Sequence, residues 1–193
     1  LIPLLAAAII SASGLDPTEA DIAWIAKGEF CEPETVISLP DGQLLVSNVC
    51  DFQKQGNGFL TLLSPQGDVL DWRVVEGLDA PLGMDMLGNR LYVIDKNRVK
   101  IFDWPEFELH KTIGLNTSVA NDLAVAPDGT VYVTDTAKHQ VIQLSPGGTQ
   151  SVLTGEAQFK GANGIALADH HLYVGGERLW RVKLSDGSVE TLG

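Results

Sequence analysis

The chain is short of positive charge and of long hydrophobic runs, and each shortage excludes a class of protein. Only 13 Lys and Arg residues stand against 25 Asp and Glu residues, giving a formal net charge of −12. Such a chain repels a phosphate backbone, so we expect no nucleic-acid partner. Acidity keeps a protein soluble, and it also suits a bound cation. No apolar run reaches the ~20 residues that cross a bilayer, so we expect no membrane span once a leader is removed.

The longest apolar run, residues 1–10, is typical of the hydrophobic part of a secretory signal peptide. The small residues Ser11-Ala12-Ser13-Gly14 follow it and match the pattern that signal peptidase cuts. A charged n-region and an initiator Met are missing, so the sequence predicts a partial signal peptide over residues 1–13 and an N-terminal segment over 14–30. The protein is then periplasmic or secreted. The alternative is a buried strand or helix over the same run.

Cysteine is also scarce, and the two that occur, Cys31 and Cys50, flank a predicted hairpin whose turn is Pro40-Asp41-Gly42. Paired positions in a hairpin have a constant sum of residue numbers. Val36 opposite Val46 gives 82 and Cys31 with Cys50 gives 81, so the cysteines are near neighbours across two strands. In an oxidising compartment this favours a disulfide. Two reduced, half-buried thiols are the alternative.

What the sequence does contain is an internal repeat. Two Pro-Asp-Gly turns, at 40–42 and 127–129, lie 87 residues apart, and each joins an apolar strand to a second β-rich strand. Two units per 87 residues is about 43 per unit, which is typical of propeller blades. The four strand–turn–strand units cover residues 34–48, 82–95, 121–135 and 163–176.

A third strand of alternating apolar and polar residues follows each unit, and then a turn and a fourth strand. The predicted third strands are residues 58–63, 98–102, 140–144 and 179–184. The fourth strands include residues 151–154 and 188–192.

Four-stranded sheets of this kind bury both faces by stacking around an axis, so the sequence predicts an all-β propeller of antiparallel blades over residues 31–193. Four blades are visible, and we expect them to be part of a six-bladed ring; a closed four-bladed ring is the alternative. The stretch Ile22–Ala26 is predicted as an outer strand that completes a last blade. A short helix over 17–25, starting at Asp16-Pro17, is the competing prediction.

The first strand of each blade lines the axis of a propeller, so residues that start these strands converge at one end of the channel. Those residues are Glu34, Leu82, Asn121 and Asn163. A carboxylate and two amide oxygens suit a hard cation such as Ca²⁺, while the lack of His and Cys there argues against zinc. Asn121-Asp122 and Asn163-Gly164 are also ordinary turn pairs, which leaves a purely structural explanation open.

Pro33-Glu34, Ala120-Asn121-Asp122 with Pro127-Asp128-Gly129, and Ala162-Asn163-Gly164 resemble the motifs of the senescence-marker-protein/gluconolactonase family. The resemblance covers roughly residues 30–193. It implies a six-bladed propeller with an axial Ca²⁺ or other divalent cation, held by Glu34, Asn121 and Asn163. The segment ending at Asp135 also resembles NHL-repeat propellers, which need no metal.

Two functions follow as hypotheses. The first is a cation-dependent hydrolase of a lactone or related ester with a small-molecule substrate, for which the sequence identifies no general base. The second is a non-catalytic, secreted, NHL-like propeller that binds a protein or glycan. The fold alone does not decide between an enzyme and a binding protein.

Overall fold

The structure is a computed structural model that describes residues 22–153 and 159–192. These residues form sixteen β-strands and no helix. The strands make four antiparallel sheets, and within each sheet the four strands lie side by side in chain order. The predicted all-β propeller of four-stranded blades is therefore confirmed. The predicted signal peptide over residues 1–13 lies outside the described residues.

Each blade contains four consecutive strands. The first blade is β1 (Pro33–Ser38), β2 (Leu44–Asn48), β3 (Gly58–Leu63) and β4 (Val69–Leu78). The second is β5 (Pro81–Leu87), β6 (Arg90–Asp95), β7 (Arg98–Asp103) and β8 (Glu108–Gly114). The third is β9 (Ala120–Val125), β10 (Val131–Asp135), β11 (Gln140–Leu144) and β12 (Gln150–Val152). The fourth is β13 (Ile165–Ala168), β14 (His171–Gly175), β15 (Leu179–Lys183) and β16 (Val189–Thr191).

The hydrophobic core lies between blades, because successive side chains of a strand point to opposite faces of its sheet. In β10, Val133 packs towards the second blade, and its neighbour Tyr132 packs towards the fourth. The same alternation gives one apolar cluster between each pair of successive blades. The innermost strands also contact one another in the order β1, β5, β9, β13. This stacking fixes the four inner strands around a common axis.

The N-terminal segment differs from its prediction. Residues 22–27 form neither the predicted outer strand nor the competing helix within the described residues. Instead Ala26 and Phe30 are buried against the first blade, and the ring of Phe30 meets Trp72 edge-on at 5.2 Å. The segment thus contributes apolar side chains to a fourth cluster rather than hydrogen bonds to a sheet.

The disulfide joins Cys31 and Cys50, whose Cα atoms are 4.6 Å apart. The pairing of β1 with β2 shifts between Pro33 and Val36, so the residue-number sum changes from 82 to 81 towards the cysteines. A β-bulge therefore accounts for the offset in the predicted hairpin.

Among the described residues there is also no helix with the length and apolar character of a membrane span.

Candidate functional site

A cavity of about 1030 Å³ runs between the inner strands of all four blades. Its walls are mostly apolar side chains of β1, β5, β9 and β13. Three polar groups interrupt the apolar lining along these strands, namely Thr35, Asp85 and Asp122. A concave, mostly apolar space with few polar groups is the usual form of a small-molecule site, so this channel is the candidate functional site.

The residues predicted as cation ligands stand at one end of the channel. Pro33, Pro81 and Ala120 each pair with the last residue of the second strand of their own blade. The residues that follow them, Glu34, Leu82 and Asn121, are therefore equivalent in the repeat. Asn163 differs in lying two residues before β13, but its backbone N–H still donates to Gly175 O, at the end of the second strand of its blade, at 2.8 Å.

Two of the three predicted ligands are accessible to solvent. Glu34 and Asn163 are exposed, and Asn121 is half-buried. Asn121 lies on β9 and Asn163 just before the adjacent inner strand β13, whereas β5, which carries Leu82, separates Glu34 from Asn121. The two asparagines therefore belong to neighbouring blades, with Glu34 two blades before Asn121, and none of the three lines the cavity itself.

The loops that lead into the inner strands are held by side chains at the ends of the second strands. Asp95 Oδ1 accepts the backbone N–H groups of Asp79 and Ala80 at 2.7 and 2.8 Å. Asp135 accepts those of residues 118 and 119, and Asn48 Oδ1 accepts that of residue 31 at 3.1 Å. All three side chains are fully buried. They stabilise the backbone at the starts of the inner strands and do not face the channel.

Two carboxylates in the channel were not identified from the sequence. Asp122 Oδ1 accepts the N–H of Leu123 at 2.8 Å, and its Oδ2 accepts the N–H of Ile165, in the next blade, at 2.9 Å. Asp85 repeats this arrangement with the N–H groups of Met86 and Val125, both at 2.7 Å. Each carboxylate therefore links its inner strand to the following one. The sequence feature that could have identified these two carboxylates is an acidic residue within a mostly apolar inner strand.

Burial disfavours the charged form of both carboxylates. Burial raises the pKa of Asp122 to about 6, against the two amide hydrogen bonds, which lower it. The negative charges of Glu34 and Asp85 raise the pKa of Asp122 further. Burial likewise raises the pKa of Asp85. Glu34 therefore lies near enough to Asp122 for its negative charge to disfavour ionisation of the Asp122 carboxyl.

The donor chemistry at this end of the channel fits a hard cation. It offers one carboxylate from Glu34, two amide oxygens from Asn121 and Asn163, and the nearby negative charge of Asp122. No group of three His, Cys, Asp or Glu side chains arranged for a metal ion occurs within residues 22–153 and 159–192. A transition-metal site made of such residues is therefore not present there, while a mixed carboxylate and amide set is the kind that Ca²⁺ accepts.

Comparison with known proteins relates the chain to propellers. The NHL repeat family model matches residues 117–144, which contain β9, β10 and β11. Comparison of the sequence with curated proteins finds no match.

Solved structures share the fold at low sequence identity. A virginiamycin B lyase from Staphylococcus aureus has a TM-score of 0.65 and 13% identity, over 84% of this chain and 55% of the lyase. A gluconolactonase from Xanthomonas campestris has a TM-score of 0.62 and 16% identity, over 86% of this chain and 61% of the enzyme. A streptogramin B lyase has a TM-score of 0.58 and 13% identity, over 84% of this chain and 68% of that one.

The chain spans about half the length of the virginiamycin B lyase chains that it matches. Identities of this size relate the folds alone. The fold is therefore one that includes a lyase and a gluconolactonase, and the choice of activity rests on the residues of the channel.

Proposed function

We propose that the protein is a divalent-cation-dependent hydrolase of a lactone or related ester, with the cation bound at the end of the propeller channel. The observation that carries this proposal is that Glu34 and Asn121 occupy equivalent positions in β1 and β9, with Asn163 just before β13 and the buried Asp122 next to Asn121. The net charge of −12 favours a cation over an anion there. The structural likeness to a gluconolactonase agrees with this choice.

Glu34, Asn121 and Asn163 are the residues that would hold the cation. When bound, such a cation polarises the carbonyl group of an ester and stabilises the negative charge that develops on its oxygen. The apolar walls of the channel surround the rest of a small substrate and exclude water from it.

Asp122 is the candidate general base. Its carboxylate lines the channel, and each oxygen accepts one backbone N–H, which leaves further lone pairs for a proton from water. Asp85 makes the same two kinds of hydrogen bond but has no predicted ligand next to it in sequence. Asp85 therefore provides a matched control for the catalytic assignment.

The experiment measures thermal stability and aldonolactone hydrolysis while Ca²⁺ is titrated into the protein. We expect a Ca²⁺-dependent rise in Tm and Ca²⁺-dependent turnover, both lost in Asn121→Ala and Asn163→Ala. Asp122→Asn should lower kcat by about 10²–10⁴-fold, the usual range for loss of a general base, and Asp85→Asn should not. A protein that neither binds Ca²⁺ nor turns over a lactone refutes the proposal.

The NHL repeat match favours a second candidate, a non-catalytic propeller that binds a protein or glycan. The two asparagine variants separate the candidates. Loss of turnover in a folded variant supports the enzyme, whereas loss of folding without any measurable activity in the wild type supports a structural role for both side chains.

We further propose a periplasmic or secreted location for the protein. The disulfide between Cys31 and Cys50 supports this location, because disulfides persist in oxidising compartments.

A further inference from the structure

We propose that Thr134 is a positioning residue for the cation site, and that Ser47 has the same role in the first blade. The proposal rests on the proposed function, since it concerns the ligands of that same site. Neither residue lines the channel, and both side chains are fully buried in the second strands of their blades. Their hydroxyl groups act through the backbone of the inner strands.

The need for a hydroxyl arises from a β-bulge at the start of β9. Val133 pairs with Leu123 and Asp135 pairs with Ala120, so Thr134 stands opposite the two residues 121 and 122. A bulge interrupts the ladder of backbone hydrogen bonds. Thr134 Oγ1 accepts the N–H of Asp122 at 3.0 Å and so replaces the missing backbone acceptor. This bond fixes the backbone that carries Asn121.

The single proton of the same hydroxyl extends the link to the next blade. Thr134 Oγ1 lies 2.6 Å from Asn163 O and 3.3 Å from Asp122 O, so Asn163 O is the favoured acceptor. The N–H of Asn163 donates to Gly175 O on its other side. The backbone of Asn163 is therefore held at both of its polar groups, and Thr134 sets its position relative to Asn121.

The first blade repeats the arrangement at the third predicted ligand. The pairing of β1 with β2 is bulged between Pro33 and Val36, and Ser47 Oγ accepts the N–H of Thr35, next to Glu34, at 3.0 Å. The second blade is bulged as well, but it has Ile94 at the hydroxyl position and Leu82 at the ligand position. Among the first three blades, the hydroxyl occurs where a predicted ligand occurs and is absent where none occurs. The fourth blade has Gly175 at this position, and its predicted ligand Asn163 is held by the Thr134 hydroxyl of the third blade instead.

The match between hydroxyl groups and predicted ligands in the first three blades favours a positioning role for Ser47 and Thr134 over a role in general stability of the fold. If the hydroxyl served only the bulge, the second blade would need it equally, yet Ile94 is fully buried there. Groups that orient ligands without touching the metal typically change metal affinity by about 10–100-fold when removed. Loss of either hydroxyl should therefore weaken cation binding more than its effect on folding predicts.

The test compares Thr134→Val, which removes the hydroxyl at constant shape, with Thr134→Ser, which keeps it. Ca²⁺ affinity of the intact protein is measured by isothermal titration calorimetry, and folding by thermal unfolding without Ca²⁺. We expect Thr134→Val to weaken Ca²⁺ binding by about 10–100-fold and Thr134→Ser to bind near wild-type affinity. Ser47→Ala, expected to weaken binding likewise, provides the second measurement if Thr134→Val does not fold.

The outcomes distinguish the two proposals. A wild-type protein that binds no Ca²⁺ overturns the proposed function and the positioning role together. A wild type that binds Ca²⁺, with folded Thr134→Val or Ser47→Ala binding it equally well, overturns the positioning role alone. Equal weakening by Thr134→Val and Thr134→Ser also overturns it, because the hydroxyl would then not be the group that matters.

Discussion

The contact between Gly83 and Asp122 makes a sharp prediction about how tightly the second and third blades meet. A Cβ added at Gly83 would overlap Asp122 Oδ1 and lie 2.5 Å from Asp122 Cα. Carbon atoms normally pack at ~3.5–4.0 Å, so β5 and β9 must separate by about 1 Å to accept it. The backbone of Asp122 cannot swing aside as the end of a flexible side chain would. Gly83→Ala should therefore disturb the whole junction.

The magnitude follows from two terms. Overpacking of a well-packed site costs about 1–3 kcal/mol. Displacement of Asp122 also strains its hydrogen bond from the N–H of Ile165, and a hydrogen bond to a charged group is worth about 1.5–3 kcal/mol. Since the two terms overlap, we expect Gly83→Ala to lower the free energy of unfolding by about 2–4 kcal/mol.

Gly114 in β8 is the matched control, because a Cβ added there meets no atom within 4 Å. Gly114→Ala should leave the free energy of unfolding unchanged or raise it by up to about 1 kcal/mol, through the lower entropy of the unfolded chain. Urea unfolding followed by tryptophan fluorescence measures both variants. Equal stability of Gly83→Ala and Gly114→Ala would refute the tight junction between the blades.

Two further predictions concern the channel and its first strand. The pKa of Asp122 is raised in the folded state from 3.8 to about 6, so the fold binds this proton more tightly than the unfolded chain and gains stability as pH falls through 6 towards 4. Between pH 8 and pH 4, the free energy of unfolding of the wild type, measured with urea, should rise by about 2–3 kcal/mol relative to that of Asp122→Asn. If the free energies of unfolding of the two proteins change with pH in the same way, the raised pKa is contradicted. The disulfide closes a sequence separation of 19 residues, so replacement of Cys31 and Cys50 by Ser should lower the free energy of unfolding by about 3 kcal/mol; unchanged urea midpoints would contradict this.

The fold was predictable from the sequence because the same pattern of strands and turns occurs in four successive units. The Pro-Asp-Gly turns, 87 residues apart, fix the register of the first and third blades, and the alternation of apolar residues fixes their strands. Two predicted third strands, residues 58–63 and 140–144, match β3 and β11 at both ends. A pattern repeated in four units is hard to misplace, since an error of one residue would turn every apolar side chain to the wrong face.

The N-terminal segment was not predictable in the same way. Ile22–Ala26 has the apolar character of a strand, and nothing in its composition says that no neighbouring strand pairs with it. Its actual contacts, such as Phe30 with Trp72, join residues far apart in sequence. A single stretch without a repeat gives no register, so its packing is decided by the surface of the first blade.

The channel residues were less predictable than the fold, and the cation site at Glu34, Asn121 and Asn163 remains a prediction. Repeat register alone predicts that Glu34, Asn121 and Asn163 converge at one end of the channel. The roles of Asp122 and Thr134 depend on the distance between adjacent blades, which residue types do not reveal. Asp122 looked like part of a turn pair, although its carboxylate reaches the backbone of Ile165 in the next blade.

The Asp122 carboxylate therefore both links two blades and lines the channel. This double position decides how the variants of Asp122 must be interpreted. Asp122→Asn removes a link between blades together with the candidate base, so its loss of activity gains meaning only beside a variant that removes a similar link alone. Asp85→Asn is that variant, because the Asp85 carboxylate joins the second and third blades through the N–H of Val125. If both variants lose similar stability and only Asp122→Asn loses turnover, the chemistry belongs to Asp122. If both variants lose turnover in proportion to their loss of stability, the two carboxylates only link neighbouring blades, and the general base is another residue.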